Sequence, residues 1–261
     1  MSGFGRCSLA VIIPIISAMG IQCVAVPTAV LSTHTGGFNE FVFRDMTDFI
    51  EPCTEHYKKL GVQFDAIYSG FRASEEQVDH CLDFFAAFPG AKRIVDPVMG
   101  DDGQRYKTYT PALVERMKEL IVGAGVITPN FTEAAMLLDE PYPDRLTEST
   151  ARGWLERLCG SAQSAVITGA VLDNGQRANL CLDGTTGEYT RILWEPLPAS
   201  YPGTGDVFAS VMTGRLLLGD TLSDAVKAAT AFSRHAVEIT IGNGQPARNG
   251  VEFERILNEL R

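Results

Sequence analysis

The sequence has no run of lysine or arginine, no Cys-x-x-Cys pair and no apolar stretch long enough to span a bilayer. Each absence removes a class of function. With 22 Lys and Arg against 32 Asp and Glu, the formal net charge is -10. Without a basic stripe there is no footprint for nucleic acid or anionic lipid, so neither is an expected partner. An anionic substrate has to be met by backbone N–H groups and helix ends instead. The six cysteines, at positions 7, 23, 53, 81, 159 and 181, have the spacing of neither a zinc site nor a compact disulfide framework. They read as reduced thiols of a cytosolic protein. The apolar stretch 9–16 contains Pro14 and carries no basic leader or cleavage site, so it reads as neither a membrane span nor a signal peptide. A soluble, cytoplasmic chain is expected.

What remains is an ordinary globular composition: 261 residues, 45% hydrophobic and 21% charged, enough to bury a core without staples. No repeat or linker divides it, and one domain over residues 1–261 is expected. Short apolar runs at 22–26, 66–69, 93–95, 126–128 and 165–168 read as buried strands. Amphipathic segments at 75–87, 111–122, 132–138 and 149–158 read as helices. Strands alternating with helices predict an α/β fold, a central mostly parallel sheet covered on both faces. Residues 178–182 and 187–193, split by Gly-Thr-Thr-Gly, read as a hairpin. Helical segments at 205–218 and 222–240 follow.

In such a sheet, ligands bind beyond the carboxyl ends of the strands. Ser69-Gly70, Asp96-Pro97, Thr128-Pro129-Asn130 and Thr168-Gly169 each end an apolar run. Four polar strand tips predict one shared cleft, although turn residues are needed at any strand end.

The segment Tyr201-Pro202-Gly203-Thr204-Gly205-Asp206 carries the clearest chemistry. Glycines at a helix start let backbone N–H groups approach an anion, and the helix N-terminus adds positive potential. A carboxylate in the same turn can take the proton of a substrate hydroxyl while those N–H groups hold developing charge. Phosphoryl transfer to an alcohol needs that pairing. The same residues also fit a glycine-rich turn with Asp206 as a helix cap. No Gly-Lys-Ser/Thr follows, so this is not a Walker A loop.

Around Asn130-Phe131-Thr132-Glu133, two polar side chains three apart leave one side of a first helical turn. Glu133 can hold Mg²⁺ directly or through water, and Asn130 can reach nucleotide phosphates. Helix capping explains them equally. Asp96 and Asp101, in Asp96-Pro97-Val98-Met99-Gly100-Asp101, can add metal carboxylates, and Asp101 also fits a solvated turn. Ser32-Thr33-His34-Thr35-Gly36 clusters hydroxyls around one histidine and can line an acceptor pocket, with Phe38 or Phe71 stacking on a ring. A lone histidine is also commonly structural.

Together these segments resemble the ribokinase superfamily, and within it the pyridoxal kinases. The resemblance extends over nearly the whole chain, from Ser2-Gly3-Phe4-Gly5-Arg6-Cys7-Ser8 to the last helices. Gly203-Thr204-Gly205-Asp206 marks the superfamily without choosing an acceptor. The Asp96–Asp101 and Thr128–Glu133 segments are similar to the vitamin-kinase branch, and the Ser32–Gly36 segment is similar to the Asn-His-Thr-Gly stretch of pyridoxal kinases. The resemblance implies a three-layer ribokinase-like fold and ATP-dependent phosphorylation of the 5′-hydroxymethyl group of pyridoxal, pyridoxine or pyridoxamine. It makes Asp206 the base and the N–H groups of Gly203, Thr204 and Gly205 the anion hole. Asn130, Thr128, Thr168 and Glu133 would serve ATP. Glu133, helped by Asp96 or Asp101, would place Mg²⁺, and Thr35, His34 and Phe71 would contact the ring. A monovalent cation such as K⁺ and a homodimer are further implications.

Two departures accompany the resemblance. The family's first strand, which precedes this segment and ends in a substrate contact, is expected to be missing. Phe71 stands where many pyridoxal kinases have Tyr. A hydroxymethylpyrimidine kinase of thiamine synthesis is the nearest alternative, and a non-catalytic B6-binding protein is an alternative of another class.

Overall fold

The computed structural model describes residues 1–261. The chain divides into two compact units, Met1–Ile50 with Pro196–Arg261, and Glu51–Glu195.

The first unit opens with β1 (Ser2–Phe4), α1 (Leu9–Ala18), β2 (Ala29–Thr33) and β3 (Phe43–Asp45). β2 is the middle strand of a small sheet, parallel to β1 and antiparallel to β3. This corrects the strand expected at 22–26, which lies outside any ladder. Apolar content alone does not make a strand; its N–H and C=O groups need partners, and residues 29–33 have them on both sides. α1 forms despite the interior Pro14, because Val11, Ile15 and Ile16 fall on one face and bury together.

The unit boundary falls within α2 (Thr47–Leu60). The second unit then carries β4 (Ala66–Ser69), α3 (Glu75–Ala87), β5 (Lys92–Val95), β6 (Gly100–Asp101), β7 (Gln104–Arg105), α4 (Pro111–Leu120), β8 (Val126–Ile127), α5 (Phe131–Leu137), α6 (Glu148–Cys159), β9 (Ser164–Val171), β10 (Arg177–Asp183) and β11 (Glu188–Trp194). Its main sheet has the order β11-β10-β9-β8-β5-β4. Strands β4, β5, β8 and β9 are mutually parallel, and the β10–β11 hairpin closes one edge antiparallel. The class is therefore the expected one, a mostly parallel sheet flanked by helices. Its core joins β-strand residues such as Val95, Ile127 and Ile167 to Phe85, Met117, Leu155 and Trp154 of the helices. The helix starts follow side-chain caps: Ser74 accepts from the Gln77 N–H, Thr110 from Leu113 and Thr147 from Thr150, each worth about 1 kcal/mol.

The chain returns to the first unit with α7 (Thr204–Leu217), α8 (Leu222–Gly242) and two 3₁₀ segments, Ala247–Asn249 and Glu254–Leu260. α7 is buried along most of its length. It approaches α1 so closely that a Cβ on Gly214 would fall on the Met19 side chain. No helix is long and apolar enough to cross a membrane.

Candidate functional site

In the second unit, the parallel order of β4, β5, β8 and β9 puts all four polar tips at one edge of the sheet. The backbone ladder continues past the strands and ties the tips together. The Asp96 N–H donates to the Ser69 carbonyl at 2.8 Å, Thr128 to Val95 at 3.0 Å, and Thr168 to Pro129 at 3.0 Å. The β10 strand carries a bulge at Asn179, and its side-chain oxygen accepts from the Gly169 N–H at 3.0 Å. A bulge re-aims one side chain, here onto the turn beside Thr168.

Asn130 and Glu133 form a reciprocal capping box at the start of α5. Asn130 Oδ1 accepts from the Glu133 N–H at 2.9 Å, and Glu133 Oε2 accepts from the Asn130 N–H at 2.8 Å. The other Glu133 oxygen accepts from the Met99 N–H at 3.0 Å, and Asn130 Nδ2 donates to the Gly100 carbonyl at 2.8 Å. The capping reading and the site reading are thus both served by the same two side chains. Glu133 is buried. Burial, followed by the charge of Asp96, pushes its carboxyl well above the ordinary 4.5. Because the folded value exceeds the unfolded one, this group takes up a proton on folding, and its contribution to stability grows as the pH falls from the folded value towards 4.5. Glu133→Gln is expected to flatten that part of the stability-versus-pH curve, as read by denaturant titrations between about pH 5 and 8.

Asp96 accepts a hydrogen bond from the Tyr68 hydroxyl at 3.1 Å. Asp101 is exposed on β6, where it accepts from the Asp102 N–H. No group of three or more His, Cys, Asp or Glu side chains gathers to hold a metal, so Glu133 is not joined by Asp96 and Asp101 together. The short β6–β7 hairpin carries Asp101 at the surface instead. The pair Asp96 and Glu133 does fit a sparse Mg²⁺ site. A carboxyl whose proton affinity is raised by a neighbouring carboxylate gains from a cation beside it, and Mg²⁺ keeps most of its ligands as water and phosphate oxygen.

Phe71 meets Tyr109 edge-on, with 6.0 Å between ring centroids, at the border of the core. The next residue, Arg72, was missed by sequence reasoning. It is buried, its guanidinium donates to the carbonyls of Gly70 and Phe71 and to Ser69 Oγ, and its Nε has no partner. An arginine amid small residues straight after Phe71 was the available signal.

In the first unit, Gly203 is the N-cap of α7 at φ 86°, a conformation that favours glycine. The first turn of α7 leaves N–H groups without intrahelical acceptors, and Gly205 is exposed there. Asp206 lies in that turn, partly buried. Its Oδ2 accepts from the Ser8 N–H at 2.8 Å and from the Cys7 thiol at 3.3 Å. Burial pushes the Asp206 carboxyl above the ordinary 3.8, and the Ser8 bond, the Cys7 bond, the Met1 ammonium and His34 oppose the rise. Ser8 itself sits at φ 57°, ψ −138°, a strained conformation for a non-glycine residue costing about 1–3 kcal/mol.

His34 is buried at the end of β2, with both ring nitrogens used. The Gly36 N–H donates to Nδ1 at 3.1 Å, so Nδ1 accepts, and Nε2 donates to the Arg248 carbonyl at 2.8 Å. Thr35 beside it is exposed. The histidine therefore latches its own turn to the 3₁₀ segment near residue 248, and the neighbouring threonine faces outward.

The second unit presents a mostly parallel sheet with four polar tips, and the first a glycine-capped helix start holding a carboxylate, each an arrangement that an α/β phosphotransferase can use. The chain belongs to the phosphomethylpyrimidine kinase family, whose sequence profile matches residues 13–249. A crystal structure from Bacteroides thetaiotaomicron described as a phosphomethylpyrimidine kinase is 40% identical, with TM-score 0.96 over 100% of this chain and 91% of that one. Its orthorhombic form, with pyridoxal, gives TM-score 0.94, again at 40% identity, over 100% and 92%. Pyridoxal kinase from Lactobacillus plantarum is 30% identical, with TM-score 0.92 over 100% and 93%. The chloroplastic thiamine biosynthetic bifunctional enzyme TH1 of Arabidopsis thaliana is 28% identical over 87% of this chain, which spans only 44% of that enzyme.

Proposed function

We propose that the protein transfers the γ-phosphate of ATP to the 5′-hydroxymethyl group of pyridoxal, pyridoxine or pyridoxamine. The observation that carries this reading is Asp206, a recessed carboxylate in the first turn of a glycine-capped helix. In the proposed step, the carboxylate takes the hydroxyl proton, and the 5′ oxygen bonds to the γ-phosphorus. The bond from phosphorus to the bridging oxygen breaks, and ADP leaves. The N–H groups of Gly203, Thr204 and Gly205 would hold the transferring oxygens. In the second unit, Asn130, Thr128 and Thr168 would meet the nucleotide phosphates. Mg²⁺, held through Asp96 and Glu133, would supply charge neutralisation there. Thr35 and Phe71 would contact the acceptor ring, with His34 fixing the turn that carries Thr35. The reading treats residues 1–261 as one kinase domain of a cytoplasmic homodimer, with K⁺ as a possible second cation.

The acceptor is the finer part. A B6 vitamer is favoured by the Ser32–Gly36 stretch and by the pyridoxal-containing relative at 40% identity. Hydroxymethylpyrimidine is the second reading, favoured by the family profile itself. ADP formation dependent on Mg²⁺ is expected with both rings offered separately, and with pyridoxal predominating. Predominant turnover of hydroxymethylpyrimidine would reverse the order; turnover of neither by folded protein would sink the kinase reading.

A further inference from the structure

Asp206 does not choose its own orientation. The bonds that fix it come from Cys7 and Ser8, and Ser8 holds a backbone conformation that its own side chain does not favour. Something must keep this strap in place. Its N-terminal neighbour is Arg6, whose guanidinium is about three-quarters buried. Arg6 Nε donates to both oxygens of Glu254, at 2.7 and 3.0 Å, and another guanidinium nitrogen lies 3.6 Å from Glu252. The Arg6 backbone N–H donates to the Asn249 carbonyl at 3.2 Å. Gly250, at φ 77°, packs against this backbone so closely that a Cβ would stand 2.7 Å from the Arg6 oxygen and 2.8 Å from its nitrogen.

Glu252 is no loose surface acid. It is buried, its N–H donates to Thr240 Oγ1 of α8 at 2.7 Å, and its carboxylate accepts from Asn243. The Glu252 arm of the anchor is thus buried and held, while the Glu254 arm is the shorter pair and lies at the surface. The same C-terminal turn also holds two other segments of this unit: Arg248 accepts from His34, and the Val251 N–H donates to the Pro202 carbonyl at 3.3 Å. Residues 248–254 therefore hold three segments, at residues 6, 34 and 202, that surround the start of α7.

We propose that Arg6 is a positioning residue, whose ion pairs to Glu252 and Glu254 pin the 6–8 strap to the C-terminal turn and thereby aim the carboxylate of Asp206. The inference deepens the kinase reading and rests on it for the role of Asp206. The groups facing that carboxylate are the Cys7 thiol, the Ser8 N–H, the Met1 ammonium and His34. Loosening the strap removes the first two and leaves the others.

The test compares the unaltered chain with Arg6→Met and Arg6→Lys in two measurements. The first is the pH profile of kcat/KM with pyridoxal. Arg6→Met is expected to cut kcat about tenfold, leave KM for ATP unchanged, and move the acid limb up by about one pH unit as the carboxylate loses its N–H donor; Arg6→Lys is expected to fall between. The second needs no activity: the rate at which iodoacetamide alkylates Cys7, read by peptide mass spectrometry. It is expected to rise several-fold in Arg6→Met, with the other five cysteines unchanged. A folded Arg6→Met with an unmoved acid limb and unmoved Cys7 alkylation overturns the proposal, even if its melting temperature falls. If Arg6→Met does not fold, Glu254→Gln, at an exposed carboxylate, supplies the same readouts. If the unaltered chain phosphorylates neither ring, the kinase reading fails alone, and Cys7 alkylation still decides whether Arg6 holds the strap.

Discussion

Asp206→Ala is expected to bind pyridoxal as the unaltered protein does and to lose phosphoryl transfer by a factor of about 10²–10⁴, the usual worth of a positioned base. Turnover would be followed as ADP release and binding by calorimetry. The separation of the two effects matters, because a folding defect would remove both. Folding is expected to survive, since burial works against the charged Asp206 carboxylate. The pH dependence follows from the same environment. A base must be deprotonated, and this carboxyl titrates above its ordinary 3.8, so activity should fail on the acid side at a higher pH than an exposed aspartate would give. Undiminished turnover in the alanine variant would remove Asp206 from the role.

Gly203→Ala should be the most damaging single-methyl change in the first unit. The φ of 86° costs a non-glycine residue about 1–2 kcal/mol. The added Cβ would also fall on the Arg6 carbonyl oxygen, which is backbone and cannot swing away; overpacking of this kind costs about 1–3 kcal/mol. A total of about 2–5 kcal/mol is a large share of the 5–15 kcal/mol typical of a folded domain. Gly205→Ala provides the contrast. Its Cβ would meet nothing within 4 Å, so folding should be unharmed, whereas a methyl at the mouth of an anion hole would still slow turnover. Thermal melts and ADP release on both variants check this: equal stability losses would contradict the packing argument.

Much of the sheet was legible because its signals are local. The apolar run at 66–69 became β4 with the same bounds, and the amphipathic segment 75–87 became α3 with its Ser74 cap. Short runs ended by Asp96, Thr128 and Thr168 led to parallel strands whose tips share an edge. What stayed hidden depends on partners distant in the chain. Residues 22–26 carry enough apolar character for a strand but have no ladder, while the more polar 29–33 has two neighbours. Pro14 obscured α1, which burial against α7 stabilises. At the candidate site, residue types pointed to Asp206, Asn130 and Glu133. Capping at Asn130 and Glu133 was also legible, but residue types could not reveal that His34 spends both nitrogens on backbone. The hold on Asp206 from Cys7, some 200 positions earlier, was likewise invisible.

The four polar strand tips carry a consequence for how a substitution at this edge would spread. The tips are joined mainly by a ladder of backbone bonds, while the segments that leave them, such as Gly70-Phe71-Arg72 after β4, are held by side chains. Arg72 binds the carbonyls and hydroxyl of its own turn and the Cys81 thiol of α3, and its backbone N–H donates to the Tyr109 hydroxyl at 3.3 Å, so this turn is tied to elements beyond the strand it leaves. A change at residues 70–72 would therefore be felt at Cys81 and Tyr109 before it reached the strands.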